Sequence, residues 1–222
     1  MPRTYRSDHR EARARETRQR VLEAATRCFE QWGYAATTVG AVAADAGVAV
    51  PTVEARFGSK ARLLKAAIDV AIVGDDLEVP VLERPWAEQA EMTATARELL
   101  ILVASVLAPA QARSAGLVLA AFEGAATNPD LATVADEMVA QRRGTATWIV
   151  NAVASRAPLR DEVSLAIDSL WTLMDPALFQ RLVRWLGWSL EEYQDWFGRT
   201  AERLLVSDPH ASTTPDRPDG GP

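Results

Sequence analysis

The side chains able to carry chemistry in this 222-residue chain fall into a scarce group and an abundant one. The scarce group is Cys28, His9 and His210. Cys28, the only cysteine, cannot form an internal disulfide. It lies on an apolar helical stripe, where it reads either as a small core hydrophobe or as a reactive thiol. The two histidines, near opposite ends of the chain, cannot join it in a metal cluster. There is no Glu-x-x-His pair and no Gly-rich phosphate loop followed by Lys-Ser/Thr. These absences point away from an enzyme, and neither a metal nor a cofactor is expected. The abundant group is cationic and uneven: residues 1–65 hold 12 Lys+Arg against 7 Asp+Glu, and residues 66–222 hold 12 against 23. The formal net charge of −6 therefore hides a basic first quarter, able to approach a phosphate backbone, and an acidic remainder that a polyanion repels.

The elements that position these charges are helical. Val21, Leu22, Ala25, Cys28, Phe29 and Trp32 recur at i, i+3/i+4 spacing and predict a helix over 18–32, ended by Gly33. Thr37 and Thr38 precede Val39, Val42, Ala43 and Ala46, predicting a two-turn helix with a threonine cap that stops at Gly47. Val50–Phe57 reads as a third short helix, with Pro51 tolerated in the first turn. Gly58 ends it, Ser59 caps the next, and Leu63, Leu64, Ala67, Ile68 and Ala71 form that fourth helix's stripe.

Two short helices joined by a tight glycine-containing turn form the helix-turn-helix pattern, whose second helix enters the major groove. The run GYAATTVGAVAADAGVAVPTVEARFGSKARLL resembles the DNA-binding domain of TetR-type transcriptional regulators, a likeness that spans residues 18 to about 68. The resemblance implies that Thr38, with its neighbour Thr37, touches phosphate at the start of the second helix. It also implies that Val50, Pro51 and Thr52 meet base edges. Val50 and Pro51 can contact thymine methyls, and the Thr52 hydroxyl can bond a base or a phosphate. Arg56 is expected to bind guanine or clamp a phosphate, and Lys60 to bind phosphate beside the N–H groups of its own first turn. Two positions depart from the family's pattern. Ala49 stands where a capping Ser or Thr is common, leaving the reading helix without a side-chain cap. Glu54 stands where a phosphate-binding tyrosine is usual; it either accepts from a cytosine amino group or pairs with a nearby arginine.

Beyond residue 85 only helices are legible. Met92 to Leu107 forms one apolar face stopping near Pro109, and Gly116–Ala126 is apolar almost all round. Asn128-Pro129 opens a long helix that runs to Pro158. Val163–Met174 forms a further stripe, Asp175-Pro176 restarts the chain, and Ser189 with Glu192 makes a capping box for the last helix. The expected fold is all-α, an N-terminal three-helix DNA-binding domain followed by a larger ligand-binding and dimerisation domain. The expected boundaries are 1–16 for a basic disordered arm, 17–72, 73–206, and 207–222 for a disordered tail. No stretch approaches about 18 uncharged apolar residues, and the charged N-terminus has no apolar core of a secretory signal, so a cytoplasmic protein without membrane contact is expected.

For the second domain the resemblance implies a homodimer built on the helices over 161–174 and 189–206. Ile167, Leu170, Trp171, Met174, Trp196, Phe197, Thr200 and Leu204 are candidate contacts, with intrachain core as the other reading. Trp86, Met92, Phe122, Met138, Trp148 and Trp171 are candidate walls of an effector pocket, or else ordinary core. The function expected is a repressor that binds an inverted-repeat operator on double-stranded DNA and is released by a small apolar or aromatic effector. A regulator controlled by a partner protein is the alternative, with a helical enzyme carrying a vestigial helix-turn-helix a distant third.

Overall fold

The computed structural model describes residues 3–77 and 79–208. Its helices are α1 (Arg3–Ala36), α2 (Val39–Ala46), α3 (Val50–Phe57), α4 (Lys60–Val73), α5 (Pro85–Glu91), α6 (Ala96–Ala125), α7 (Pro129–Ala154), α8 (Val163–Leu173), α9 (Pro176–Phe179) and α10 (Leu190–Leu205). A π-helical turn, Gln180–Trp185, follows α9. Among the described residues extended pairing is limited to one bridge, Leu159 to Val206. The expected all-α architecture is therefore observed.

Two expectations are corrected. The basic arm expected over 1–16 to be disordered is helical from Arg3, continuous with α1. Its sequence is rich in Arg, Ala and Glu and contains no Gly or Pro beyond Pro2, so nothing stops the helix from growing backward. The two apolar segments on either side of Pro109 are one 30-residue helix, α6, with the proline inside it. Apolar burial on both sides of the proline outweighs the one backbone bond it removes. Of the tail expected to be disordered over 207–222, residues 209–222 lie outside the described residues, while the Ser207 N–H donates to the Pro158 carbonyl at 3.0 Å.

The described chain buries two apolar clusters, and α6 and α7 belong to both. The first joins α1 to α4 with Leu117, Val118 and Ala121 of α6 and Leu131, Val134 and Met138 of α7. The second joins the other ends of α6 and α7 to α8, α9 and α10. The expected division at residue 72 therefore does not separate the cores, because the tip of the α6–α7 hairpin completes the core of the N-terminal domain. That tip closes at Gly124, where a Cβ would stand 2.5 Å from Leu131 Cδ1 and 3.2 Å from Tyr34 Cδ1. Arg113 of α6 adds a polar clamp, donating from Nε to the Ala71 carbonyl (2.8 Å) and from Nη2 to the Ile72 carbonyl (3.0 Å) at the end of α4. By length and composition α6 alone among the described helices could cross a membrane; 44% of its most apolar window is buried inside this chain. It packs against α1, α4, α7, α9 and α10.

Candidate nucleic-acid interface

The interface begins at the break after α1. Gly33 takes φ 69° and ψ 178°, a left-handed φ that favours glycine, and turns the chain toward α2. The turn is then tied from two sides. Thr37, fully buried, donates its hydroxyl to the carbonyls of Gly33 (2.7 Å) and Cys28 (3.0 Å). Lys60 reaches in from α4, donating to the carbonyls of Tyr34 (2.8 Å) and Thr37 (2.9 Å), with its ammonium 4.0 Å from the Tyr34 ring centroid. Burial lowers the Lys60 pKa from its ordinary value.

These contacts correct two assignments. Thr37 is a structural tie with no surface to offer a phosphate. Lys60 is half-buried, and two of its three donors hold backbone, so its first role is to fasten the α1–α2 turn to α4. Thr38 stays exposed. Its oxygen caps α2 by accepting from the Ala41 N–H at 3.0 Å, and the hydroxyl keeps a donor that this cap does not use.

Helix α3 is fixed by Val53 and Phe57, both buried, and by Gly47, whose left-handed φ of 66° makes the turn after α2. Its other face is open: Val50, Pro51, Thr52, Glu54 and Arg56 are all exposed. Ala49 gives α3 no side-chain cap, as its sequence implies. Arg56 differs from expectation. Its Nη1 donates to the Ala14 carbonyl of α1 at 2.8 Å, and Arg18 of α1 sits 5.2 Å over the Phe57 ring. The reading helix and the basic N-terminal stretch are thus one body. Arg56 is not aimed at a base in the free chain, and Glu54 takes neither it nor any other arginine as a partner, since no ion pair to Glu54 is found among the described residues.

The six candidate pocket walls do not enclose one space. Met92 is 78% exposed. Phe122 and Met138 pack in the first core, while Trp86, Trp148 and Trp171 pack in the second, with Trp86 edge-on to Trp148 at 5.2 Å. Their helical spacing is that of core side chains, and periodicity alone does not say which of two cores each enters. A surface cleft of about 430 Å³ lies elsewhere, between Phe29, Glu30 and Gly33 of α1, Gly116 and Glu123 of α6, and Gln180 and Arg184. Of the candidate dimer contacts, Ile167, Leu170, Met174 and Phe197 are buried within the chain, as the intrachain-core reading expects. Trp171, Trp196 and Thr200 are half-buried, and Leu204 is exposed.

Among the described residues, four buried side-chain polar atoms have no hydrogen-bond partner: Gln111 Oε1, Arg142 Nε, Trp171 Nε1 and Tyr193 Oη. Apolar periodicity carries no signal for this set, because its members come from α6, α7, α8 and α10 and meet only in three dimensions.

The arrangement is a helix-turn-helix whose core is completed by α6 and α7 of a helical companion domain. Residues 21–67 match the family described as bacterial regulatory proteins, tetR family. A search of curated proteins gives no match. Among solved structures, the transcriptional regulator FadR from Bacillus subtilis in complex with stearoyl-CoA is 20% identical, with 84% of this chain and 98% of that one covered and a TM-score of 0.66. A transcriptional regulator from Saccharomonospora viridis in complex with choline is 19% identical, covering 87% and 99%, with a TM-score of 0.63. A TetR family member from Streptomyces coelicolor A3 is 22% identical, covering 86% and 99%, with a TM-score of 0.58. Residues 21–67 thus match the tetR family, and the chain shares its overall fold with these solved regulators.

Proposed function

We propose that the chain is a dimeric repressor that reads an inverted-repeat operator and is released by a small apolar or aromatic molecule bound among the helices of its second domain. The observation that carries the reading is the pre-formed head: a capped α2, an exposed α3 and a basic first quarter, all fastened through α4 to α6. A two-turn reading helix covers about half a site, so two heads about 34 Å apart are needed for specificity. The dimer supplies them through α8 and α10, where Val163, Leu165 and Leu204 remain exposed. Because α6 belongs to both cores and clamps α4 through Arg113, an effector that shifts α6 changes the spacing of the heads.

The test is selection of DNA from a random pool by the purified protein. Enrichment of an inverted repeat whose half-sites lie about one helical turn, or a multiple of it, apart is the expected result. Enrichment of no repeat at low salt overturns it. Lys60→Ala and Arg56→Ala assayed in parallel report on positioning and on base preference respectively.

A further inference from the structure

The four partnerless buried polar atoms found among the described residues belong to Gln111, Arg142, Trp171 and Tyr193, side chains that lie in or interact with the segment Trp171–Phe179, which spans the break between α8 and α9. Gln111, 5% exposed, donates Nε2–H to the Met174 carbonyl at 2.8 Å and leaves Oε1 without a donor. Arg142 lies 4.3 Å over the Trp171 ring and reaches Asp175 Oδ2 at 3.3 Å, leaving Nε–H without an acceptor. Trp171 contributes its own indole N–H. Tyr193, fully buried, packs edge-on to Phe179 at 4.9 Å and lies close enough to Asp175 for that carboxylate to help raise its pKa, after burial itself. Scattered packing faults would not choose one place. A buried donor or acceptor without a partner is costly enough that native chains nearly always satisfy it, and three donors with one acceptor around one junction define a complementary group.

The charges and shapes narrow that group. Arg142 already has Asp175 as its counter-ion, so a second carboxylate would meet an occupied cation and a resident anion. A hydroxyl or carboxamide suits better, since the two lone pairs of its oxygen accept from two of the three donors while its own hydrogen goes to Gln111 Oε1. Trp171, Tyr193, Phe179 and Trp196 bring aromatic rings to the same region of the core, which suits a flat, apolar body. The segment following the junction is the π-helical turn Gln180–Trp185, ending at the exposed Trp185 and Leu186. Such turns are rare and recur beside functional sites.

We propose that the α8–α9 junction binds a small uncharged aromatic molecule bearing a hydroxyl or carboxamide group, held by Trp171 Nε1–H, Tyr193 O–H and Gln111 Oε1, with Arg142 stacked on Trp171 beside it. The proposal rests on the small-molecule reading of the second domain and names the site and the ligand chemistry. Gln111 stands on α6 two residues from Arg113, so a molecule that engages Gln111 acts on the helix that clamps α4.

The test is a titration of the 15N-labelled full chain with phenol and with benzamide, against toluene and benzoate as controls. The indole N–H resonance of Trp171 is assigned by its loss in Trp171→Phe. Phenol and benzamide are expected to shift that resonance saturably; toluene and benzoate are not. Tyr193→Phe removes only a partnerless hydroxyl, so the free protein should be no less stable, while phenol binding weakens about tenfold. An unsaturable shift, an equal response to toluene, stronger binding of benzoate, or unchanged phenol affinity in Tyr193→Phe overturns the proposal. None of these readouts involves DNA. Phenol bound at the junction with no effect on operator affinity keeps this site and removes the effector reading. A compound that releases DNA without moving Trp171 does the reverse.

Discussion

Thr37 and Thr38 are adjacent and chemically identical, yet one is buried as a tie between carbonyls and the other caps α2 with its hydroxyl exposed. The pair is legible as a cap signal, but which member turns inward is set by the Gly33 bend, which a linear pattern does not encode. Lys60 shows the same in a cation: its chemistry reads as a phosphate ligand, and its geometry makes it a backbone clamp. Lys60→Met should therefore lower unfolding free energy by about 1–3 kcal/mol in urea, because it deprives two carbonyls of their donor. The slope of log affinity against log salt should change by less than the roughly 0.9 that one phosphate neutralised by the side chain would contribute. A full unit of slope removed with stability intact would return Lys60 to the phosphate role. The missing cap at Ala49 is a simpler case, fully visible in the sequence. Ala49→Ser should stabilise the chain by about 1 kcal/mol in the same denaturation experiment, since its oxygen can accept from a first-turn N–H of α3.

At the scale of elements, the short helices of the reading head are readable to within a residue or two, since each is bracketed by a glycine stop and a hydroxyl cap. The long helices are not. Pro109 reads as a terminus because proline removes a donor, but the apolar faces on both sides of it are buried in this chain and carry α6 through. The N-terminal stretch reads as a disordered arm because its charge suggests solvation, whereas its composition favours helix and Arg56 anchors it at Ala14. Being anchored beside α3, it would, in the proposed function, approach DNA together with the reading head. Deletion of residues 1–13 should weaken binding to all sequences and flatten the salt dependence by about 0.9 for every phosphate the shortened chain no longer neutralises, while the half-site preference stays the same. Electrophoretic titration at several salt concentrations would show this; unchanged affinity and slope would reduce the stretch to a solvated extension.

Over the whole molecule, two cores share α6 and α7, so head and companion domain cannot move independently without disturbing packed side chains. In the proposed function a single head meets one half-site, and specificity then depends on how a second copy is placed. The intrachain burial of Ile167, Leu170, Met174 and Phe197 restricts the surface that α8 and α10 can offer a partner to what remains outside: Val163 and Leu165, 47% and 49% exposed, and Leu190 and Leu204, each 38% exposed. A carboxylate introduced there would be desolvated on association and would face its symmetry mate in a domain that already carries a net negative charge. Leu165→Glu and Leu204→Glu should each shift the sedimentation coefficient from dimer toward monomer, with single half-site binding kept and binding to the full inverted repeat weakened. The exposed positions of these variants leave the intrachain core intact, so their melting curves at high protein concentration should lose only the part of stability that depends on concentration. A dimer that persists in both variants with full operator affinity would move the interface away from α8 and α10, toward the exposed Trp185 and Leu186 at the end of the π-helical turn.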